Sequence, residues 1–464
     1  MNRIVYVTLI ILLGGAVTSC QKDKDQEVIE AIFSEALADS TAYHNLQYLS
    51  DSIGGRLACS PEGTEAVKWT KQIMEQMSLD TVFLQEMQVK NWDRGKKEQA
   101  FIHLKSADKT PIKVCALGRG KGTDGIPLRG QIIEVHSLEE LEALPTHKTQ
   151  GKIIFFNGAM DPSQENTFRA YGEQAGQRFY GPIKAAEKKA KGAIIRSLTT
   201  SIDTFPHTGV TKYALSHKTV PSVSIATKHA NLIHKKLQNN PKLEVSYTTW
   251  CQNKPDTTSY NVVGEIRGSV YPEKIITIGG HLDAWDNSDG AHDDGAGCMQ
   301  AIEVLRIFRQ LGIQPKHTIR AVMFMDEEIS QMGGKTYARQ AKINGEQHIL
   351  ALESDRGATT PLGFSISAQE EILEAFNTYK PLFKPYNIQE FKKGGGGVDI
   401  NPLKQFNTVL VGYVPDPTHY FNWHHSGNDT FDQIDFKEFQ SGSAAIASFI
   451  YLADKYNVGR RINH

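Results

Sequence analysis

The sequence predicts an α/β fold: a three-layer domain around a mixed, largely parallel sheet, with a β-rich module inserted into it. From residue 259 onward, apolar runs alternate with amphipathic helical segments, a pattern typical of a parallel sheet covered by helices. Between residues 116 and 250, short apolar runs alternate with turn residues, and one clear helix is expected at 183–190. The 464 residues also exceed what one hydrophobic core usually organises, which favours two domains.

The N-terminal segment has the composition of a lipoprotein leader. Arg3 precedes a nearly continuous apolar run at 4–17, which is short for a membrane span and suits the core of a signal peptide. Small residues then precede Cys20, and a charged stretch follows it. We expect Cys20 to carry a lipid, and Gln21 after it favours the outer membrane of a bacterial cell envelope. An ordinary secretory signal with an incidental cysteine is the alternative.

The rest of the chain divides into a main domain in two parts and a module between them. Ser60 followed by Pro61 predicts a helix start, and the alternation at 83–89 predicts a strand. The expected segments are a signal peptide at 1–19, a tether at 20–27, main domain at 28–115, the β-rich module at 116–250 and main domain again at 251–464.

Apolar strands in the last part of the chain are followed by polar side chains. The runs 274–279, 318–325, 348–352 and 407–413 are apolar enough to be buried on both faces of a sheet. In open α/β sheets, ligands gather outside the carboxyl ends of the strands. The residues at or beyond those ends are His281-Leu282-Asp283, Asp326-Glu327-Glu328, Glu353-Ser354-Asp355 and, in a longer loop, His424-His425.

Each of these groups alone has an ordinary structural explanation. A single His281 is more often a packed histidine than a ligand, and Glu327-Glu328 suits a solvated helix start. Asp293-Asp294 suits a turn followed by a helix cap. Their joint placement at one sheet edge favours a metal site instead. Imidazole and carboxylate donors without thiolate suit zinc in a hydrolytic centre, and no CxxC spacing offers a thiolate site.

Several segments together carry a family resemblance: Gly279-Gly280-His281-Leu282-Asp283-Ala284-Trp285-Asp286, Asp293-Asp294-Gly295, Glu327-Glu328, Glu353-Ser354-Asp355 and His424-His425-Ser426. With them the chain resembles the di-zinc exopeptidases, the group of bacterial aminopeptidases and glutamate carboxypeptidases, over essentially its whole mature length. The residues at 116–250 resemble a protease-associated domain inserted into the peptidase. The chain departs from the usual pattern after Glu328, at Ile329-Ser330-Gln331, beside the expected metals.

The resemblance implies two zinc ions per chain, held by His281, Asp293, Glu328, Asp355 and His425. Asp293 would bridge the ions, with a cis peptide bond before Asp294, and His424 competes with His425 as the last ligand. Glu327 would act as general base and acid. Asp283 would support it by accepting the second ring N–H of His281.

The expected enzyme is an aminopeptidase or dipeptidase that acts on short peptides or dipeptides, and attack at a free amino terminus is favoured. Lys and Arg total 51 against 52 for Asp and Glu, so no basic field indicates nucleic acid. Contact with a membrane is expected only through the lipid at Cys20, and the resemblance implies a homodimer. Two alternatives are glutaminyl cyclase-like acyl transfer on the same fold and a binding homologue without catalysis.

A glycine run at 394–397 has two interpretations. It is either a flexible surface loop or a backbone loop over the substrate pocket, with Asp399 supporting the metal ligands.

Overall fold

Two eight-stranded sheets organise the chain in the computed structural model, which describes residues 24–104, 108–212 and 218–458. The expected signal peptide and Cys20 lie outside the described residues. Within the described ranges, no helix is both long and apolar enough to cross a membrane.

The strands are short to medium in length and alternate with helices along most of the chain. In chain order they are β1 Thr81–Asp93, β2 Gln99–His103, β3 Lys109–Ile112, β4 Val114–Ala116, β5 Leu128–Val135, β6 Ile153–Phe156, β7 Gly192–Arg196, β8 Ser222–Ile225, β9 Glu244–Thr248, β10 Gln252–Ile266, β11 Tyr271–His281, β12 His317–Phe324, β13 Gln347–Glu353, β14 Pro361–Ser367, β15 Glu390–Lys393 and β16 Val409–Pro415.

The helices cover both sheets. They are α1 24–38, α2 Thr41–Gln47, α3 Pro61–Glu75, α4 Leu138–Ala143, α5 Thr146–Thr149, α6 Thr167–Glu187, α7 Thr227–Asn239, α8 Ala296–Gln310, α9 Met332–Asn344, α10 Glu370–Asn377, α11 Lys380–Phe383, α12 Tyr420–Trp423 and α13 Phe436–Lys455. Single helical turns, wider or tighter than an α-helix, occur at Tyr48–Ile53, Ala291–Gly295, Lys384–Tyr386, Asn401–Phe406 and Phe431–Gln433.

The first sheet is mixed, as predicted. Its order is β1-β10-β12-β11-β13-β16-β14-β15, and the central strands β12, β11, β13 and β16 run parallel. Successive residues of β13 point into different cores: Leu350 and Leu352 pack on the side of α8 and α13, and Ala351 packs on the side of α9. Helices therefore bury both faces of the central strands, which gives the expected three layers.

The second sheet is formed by the residues between β1 and β10. Its order is β3-β2-β9-β5-β6-β7-β8-β4, with parallel strands from β5 to β8. It begins ahead of residue 116, the expected start of the β-rich module, because β2 pairs with β9 in the register His103 opposite Glu244. That this region is a protease-associated domain stays a prediction.

The helix expected at 183–190 is wrong in extent, because α6 runs from Thr167 to Glu187. The side chain of Asn166 caps its start by accepting a hydrogen bond from the backbone N–H of Arg169 at 3.0 Å. A second helix of this region, α7, was not expected from the sequence, although its buried residues Thr227, Ala230 and Ile233 recur at helical spacing.

The N-terminal part of the main domain begins earlier than expected. Residues 24–27, the end of the expected tether, already belong to α1. Asp25 is buried there and accepts hydrogen bonds from Tyr451, at 3.2 Å, and from Lys455. The helix start at Ser60 is confirmed, since its Oγ accepts from the backbone N–H of Gly63 at 2.9 Å.

Candidate metal centre

The parallel strands of the first sheet deliver the predicted donors to one edge. His281 is the last residue of β11, and its neighbours β12 and β13 lie on either side of it. Glu327 and Glu328 follow β12, and Asp355 follows β13. Because these strands run in the same direction, their carboxyl ends and the residues after them meet at the same place.

His281, Asp293 and Asp355 form the first group of donors. The Nε2 atom of His281 lies 3.3 Å from Oδ1 of Asp293 and 3.4 Å from Oδ1 of Asp355. Donor atoms of all three residues lie within 4.8 Å of one another, close enough to hold one ion.

A second group lies on the other side of Asp293. Nε2 of His425 is 3.0 Å from Oε2 of Glu328 and 3.5 Å from Oδ2 of Asp293. Nε2 of His424 is 3.8 Å from the same Asp293 oxygen. Asp293 therefore presents one carboxylate oxygen to each group, and it is joined to Asp294 by the expected cis peptide bond.

The donor set fits metal ions. Oδ2 of Asp293 and Oε1 of Glu328 are buried, and neither has a hydrogen-bond partner among the described residues. Buried carboxylate oxygens without partners are costly unless a cation or donor satisfies them. Imidazole and carboxylate are also the donors that suit zinc in hydrolytic sites.

The contact predicted for Asp283 is wrong in its atoms. Nδ1 of His281 contacts the backbone carbonyl oxygen of Asp283 at 2.9 Å, and the nearest carboxylate oxygen is 3.9 Å away. The carboxylate is fully buried and accepts instead from the backbone N–H groups of Glu327, at 3.1 Å, and Glu328, at 3.3 Å. Because the chain turns directly after His281, the backbone oxygen of Asp283 lies nearer to the imidazole ring than the carboxylate does.

Two further carboxylates position the ligands and were missed by the sequence reasoning. Oδ2 of Asp294 accepts from the backbone N–H of His281 at 3.0 Å, and Oδ2 of Asp429 accepts from that of Asp293 at 3.1 Å. Asp294 could have been noticed from its adjacency to Asp293. The spacing from His425 to Asp429 favours His425 as the ligand, but only the folded chain shows Asp429 beside the turn at Ala291–Gly295.

The pKa values of Glu327 and His281 both lie above their usual ranges. Burial, together with the nearby Asp355 and Asp283, holds the pKa of Glu327 well above its usual range. Burial lowers the pKa of His281, but hydrogen bonds with Asp293 and Asp355 outweigh it and the net pKa is well above the usual value. Such excess negative charge around a buried centre favours cation binding.

A cavity of about 560 Å³ opens over these donors and is lined by both parts of the structure. The first sheet contributes the donors, including Glu327, and Tyr420 and Phe421 of α12. The region of the second sheet contributes Phe168, Tyr171, Arg178 and Phe179 of α6 and the segment Val210, Thr211 and Lys212.

Helix α6 is fixed against the centre by ring contacts. Phe168 stacks on Tyr420 with ring centroids 5.4 Å apart, and Tyr171 stacks on Phe421 at 4.7 Å. The sequence pattern predicts no functional role for this helix. Its residues reach the cavity only because the second sheet folds back over the first.

The position of the glycine run favours a backbone loop at the pocket, and support of the metal ligands by Asp399 stays a prediction. A second cavity, which Asp355 lines on one side, is also lined by Gly396, Gly397 and Val398. A Cβ atom on Gly397 would lie 2.1 Å from the carboxyl carbon of Glu353, so the backbone must approach that side chain closely. Asp399 is buried, and its backbone N–H donates to Glu353 at 3.3 Å.

The fold is that of a known class of enzyme, and the chain belongs to peptidase family M28. The profile of this family matches residues 261–450. Carboxypeptidase Q of Xenopus laevis is 30% identical over 412 residues, 89% of this chain and 85% of that protein. The crystal structure of a peptidase M28 precursor from Shewanella amazonensis SB2B is 30% identical, with a TM-score of 0.87 over 93% of this chain and 96% of that chain.

A more distant solved structure shares the fold. The zinc aminopeptidase from Bacillus subtilis superposes with a TM-score of 0.64 at 16% identity, over 89% of this chain and 94% of that chain. Family membership supports a metallo-exopeptidase.

Proposed function

We propose that the protein is a two-zinc exopeptidase that hydrolyses terminal peptide bonds of short peptides. The observation that carries this proposal is the position of Asp293, whose two carboxylate oxygens face separate donor groups. One carboxylate between two donor groups is the arrangement of two-metal hydrolases, including aminopeptidases.

The geometry supports a specific assignment of the ligands. His281 and Asp355 would hold one zinc ion, Glu328 and His425 the other, with Asp293 between them. His425 is preferred to His424 because its Nε2 atom is within 3.0 Å of Glu328 as well as close to Asp293. Zinc is proposed from the donor chemistry and from the zinc aminopeptidase with the same fold.

Glu327 would act as the general base and then as the general acid in hydrolysis. Zinc held here supplies Lewis acidity that lowers the pKa of a water molecule and polarises the scissile carbonyl. The Glu327 carboxylate, in the cavity beside the donors, would take a proton from that water as the water oxygen attacks the scissile carbonyl, and would return the proton to the leaving amine as the C–N bond breaks. Asp283 holds the backbone of Glu327, so the base stays at a fixed place beside the donors.

The same geometry weighs against the two alternatives. A cyclase-like enzyme needs one zinc ion, whereas two donor groups are present. A binding homologue without catalysis has no need of a general base, whereas Glu327 lies in the cavity with the donors.

Metal analysis and a peptide screen test the proposal. We expect the purified protein, loaded with zinc and dialysed, to bind two zinc ions per chain and to hydrolyse dipeptides or aminoacyl reporters. Chelation should abolish hydrolysis, and added zinc should restore it. One zinc ion per chain with cyclisation of N-terminal glutamine would favour the cyclase, and inactivity with two ions bound would favour the binding homologue.

We also propose that the protein is a lipoprotein of the bacterial outer membrane, anchored by a lipid on Cys20. We further propose that two copies of its peptidase part form a homodimer. The support is the sequence around Cys20 and the family resemblance. Membrane fractionation tests the first part, since Cys20→Ser should move the protein to the soluble fraction. Sedimentation of the protein lacking residues 1–20 tests the second.

A further inference from the structure

The start of helix α1 is fastened to the end of helix α13. Asp25, in the first turn of α1, is only 1% exposed. Its carboxylate accepts hydrogen bonds from Tyr451, at 3.2 Å, and from Lys455 and Tyr456. Release of this carboxylate would break a charge-assisted hydrogen bond with Lys455, which is among the stronger kinds of contact in a protein. The point at which the chain enters the folded domain is therefore fixed.

The connection between the proposed lipid site and this fixed point is short. Cys20 is five residues ahead of Asp25. Even a fully extended chain of that length spans at most about 18 Å. Because residues 24–27 belong to α1 and not to the expected tether, fewer residues separate Cys20 from the folded domain than the sequence predicts. A lipid on Cys20 would hold the start of α1 close to the bilayer surface.

The start of α1 lies at the edge of the first sheet where the parallel strands begin. Asp454, the residue before Lys455, accepts a hydrogen bond at 2.8 Å from the backbone N–H of His317, the first residue of β12. At the other end of β12, Phe324 lies opposite His281 of the metal centre. With a rise of about 3.3 Å per residue, β12 spans about 23 Å. The entry point of the chain and the metal donors are therefore at opposite edges of the sheet.

The second sheet is attached at the edge that carries the donors. β10 runs antiparallel to β12, with Val262 opposite Met323 and Ile266 opposite Ile319. The first residue of β10, Gln252, therefore lies toward the carboxyl end of β12, and β10 follows there directly from the second sheet. The second-sheet region thus begins on the donor side, away from the start of α1.

The surface around the start of α1 suits the headgroup region of a bilayer. Tyr456 is 38% exposed and stacks on Tyr379 with ring centroids 5.5 Å apart. Tyrosine favours the membrane–water interface, because its ring is largely apolar while its hydroxyl group can reach water. Lys24 and Glu27 of the first helical turn are both exposed, so the charges there are mixed. The lipid rather than charge would supply the attraction to the membrane.

We propose that the lipid and the short connection hold the start of α1 against the membrane surface, so that the cavity over the metal donors lies on the side away from the bilayer. The inference rests on the proposed lipoprotein. The face toward the membrane is formed by the start of α1, the end of α13 and Tyr379. The cavity then takes peptides dissolved in the aqueous compartment, whereas peptides fixed to membrane lipids lie beyond its reach.

Two exposed threonines serve as matched probe sites. Thr378 precedes Tyr379, and Thr418 lies between β16 and Tyr420, which lines the cavity. Each is changed to cysteine in the lipidated protein carrying Cys59→Ser, since the other described cysteines are buried, and is labelled with a fluorophore. The vesicles contain phosphatidylethanolamine and phosphatidylglycerol, with a nitroxide quencher on some headgroups.

The two probes should differ clearly in quenching. We expect about threefold more quenching at Thr378→Cys than at Thr418→Cys, because the connection keeps the near face within about 18 Å of the lipid. Equal quenching at the two sites, or more at Thr418→Cys, would overturn the proposal.

Asp25→Asn tests the fastening of α1. The amide cannot supply the negative charge that Lys455 contacts, so the start of α1 should loosen and the effective connection should lengthen. We expect the difference in quenching between the two probes to shrink. The matched control is Glu30→Gln, an exposed acid of the same helix, which should keep the full difference. An unchanged difference in folded Asp25→Asn would overturn the positioning role of Asp25, and if this variant does not fold, the wild-type comparison decides.

Hydrolysis separates the orientation from the proposed functions. The anchored enzyme and the protein lacking residues 1–20 should hydrolyse a soluble dipeptide at the same rate. Only the protein without the anchor should hydrolyse a dipeptide joined through its C-terminus to a lipid headgroup in dilute vesicles. Equal cleavage of this lipid-linked peptide by both proteins would overturn the orientation.

The remaining outcomes identify which proposal fails. If neither protein cleaves either peptide, the exopeptidase function fails, and the quenching still decides the orientation. If the full-length protein carries no lipid and does not bind vesicles, the lipoprotein proposal fails, and the orientation fails with it.

Discussion

The Oδ1 atom of Asp283 accepts a hydrogen bond from the backbone N–H of Glu327 at 3.1 Å. Its second oxygen accepts in the same way from the next residue, Glu328, at 3.3 Å. One fully buried carboxylate thus fixes the turn that carries both the proposed base and a proposed ligand. The positions of Glu327 and Glu328 therefore depend on Asp283, a residue that need not touch substrate or metal.

Asp283→Asn should therefore weaken catalysis without abolishing it. An amide has one acceptor oxygen, and its NH2 group would face one of the two N–H donors, so the turn should shift. We expect kcat for a dipeptide to fall about 10- to 100-fold while the fold is retained. Steady-state kinetics and zinc analysis of the folded variant measure this, and an unchanged kcat would show that the two hydrogen bonds do not position Glu327.

Glu327→Gln should have a much larger effect on turnover. The amide is nearly the same size but cannot accept the proton from water, so we expect kcat to fall about 10³-fold or more. Zinc content and thermal stability should stay at the wild-type level. If this variant hydrolyses dipeptides at the wild-type rate, another residue is the base.

Asp293→Ala should act on metal content. It removes the carboxylate that lies 3.3 Å from His281 and 3.5 Å from His425, so both donor groups lose a member. We expect fewer than two zinc ions per chain after dialysis and a loss of hydrolysis. A variant that still retains two ions would contradict the assignment of Asp293 as the shared ligand.

Glu346, which lies at the opposite end of β13 from Asp355, should make the free energy of unfolding depend on pH. Burial raises the pKa of Glu346, but hydrogen bonds from His348 and Arg320 outweigh it and lower the pKa to about 2. Because the folded-state pKa lies below the unfolded value, this stabilisation is complete above about pH 4.5 and is lost as the pH falls toward 2.

Glu346→Gln should accordingly lower the free energy of unfolding by about 2 kcal/mol at pH 7, and the difference should shrink below pH 4.5. Urea unfolding of both proteins at pH 7 and below pH 4.5 measures this difference in the free energy of unfolding. The matched control is Glu75→Gln, which breaks an exposed pair with Lys71 and should change stability by less than about 0.5 kcal/mol. A difference that grows on acidification would show that the sign is wrong.

The positions of three proposed metal donors could be predicted, because His281, Glu328 and Asp355 lie at or just after the ends of apolar strands. A buried parallel strand is recognisable from its composition, and the geometry of a parallel sheet then places His281, Glu328 and Asp355 together. No long-range contact has to be guessed for these residues. The assignment of roles came from the family resemblance, because strand geometry alone does not separate Glu327 from Glu328.

The cavity wall could not be predicted in the same way. Arg178 and Tyr171 lie on a helix whose small residues, including Gly172 and Gly176, interrupt the apolar pattern that marks a helix. Their position over the candidate metal centre depends on how the second sheet packs on the first, which no local pattern encodes. The error at Asp283 is similar, since one residue offers two oxygen-bearing groups and spacing does not choose between them.

The pairing of β1 with β10 also has a consequence for the order in which the protein forms during synthesis. These strands run antiparallel from Thr81 opposite Glu265 to Asp93 opposite Gln252, yet every strand of the second sheet is encoded between them. At roughly 5–20 residues per second, the ribosome makes β10 about ten seconds or more after β1. The inserted sheet can therefore fold first, and until β10 is made the edge of β1 that pairs with β10 stays unpaired. Codon changes or mutations that delay that sheet should prolong this exposure and increase aggregation of the nascent chain.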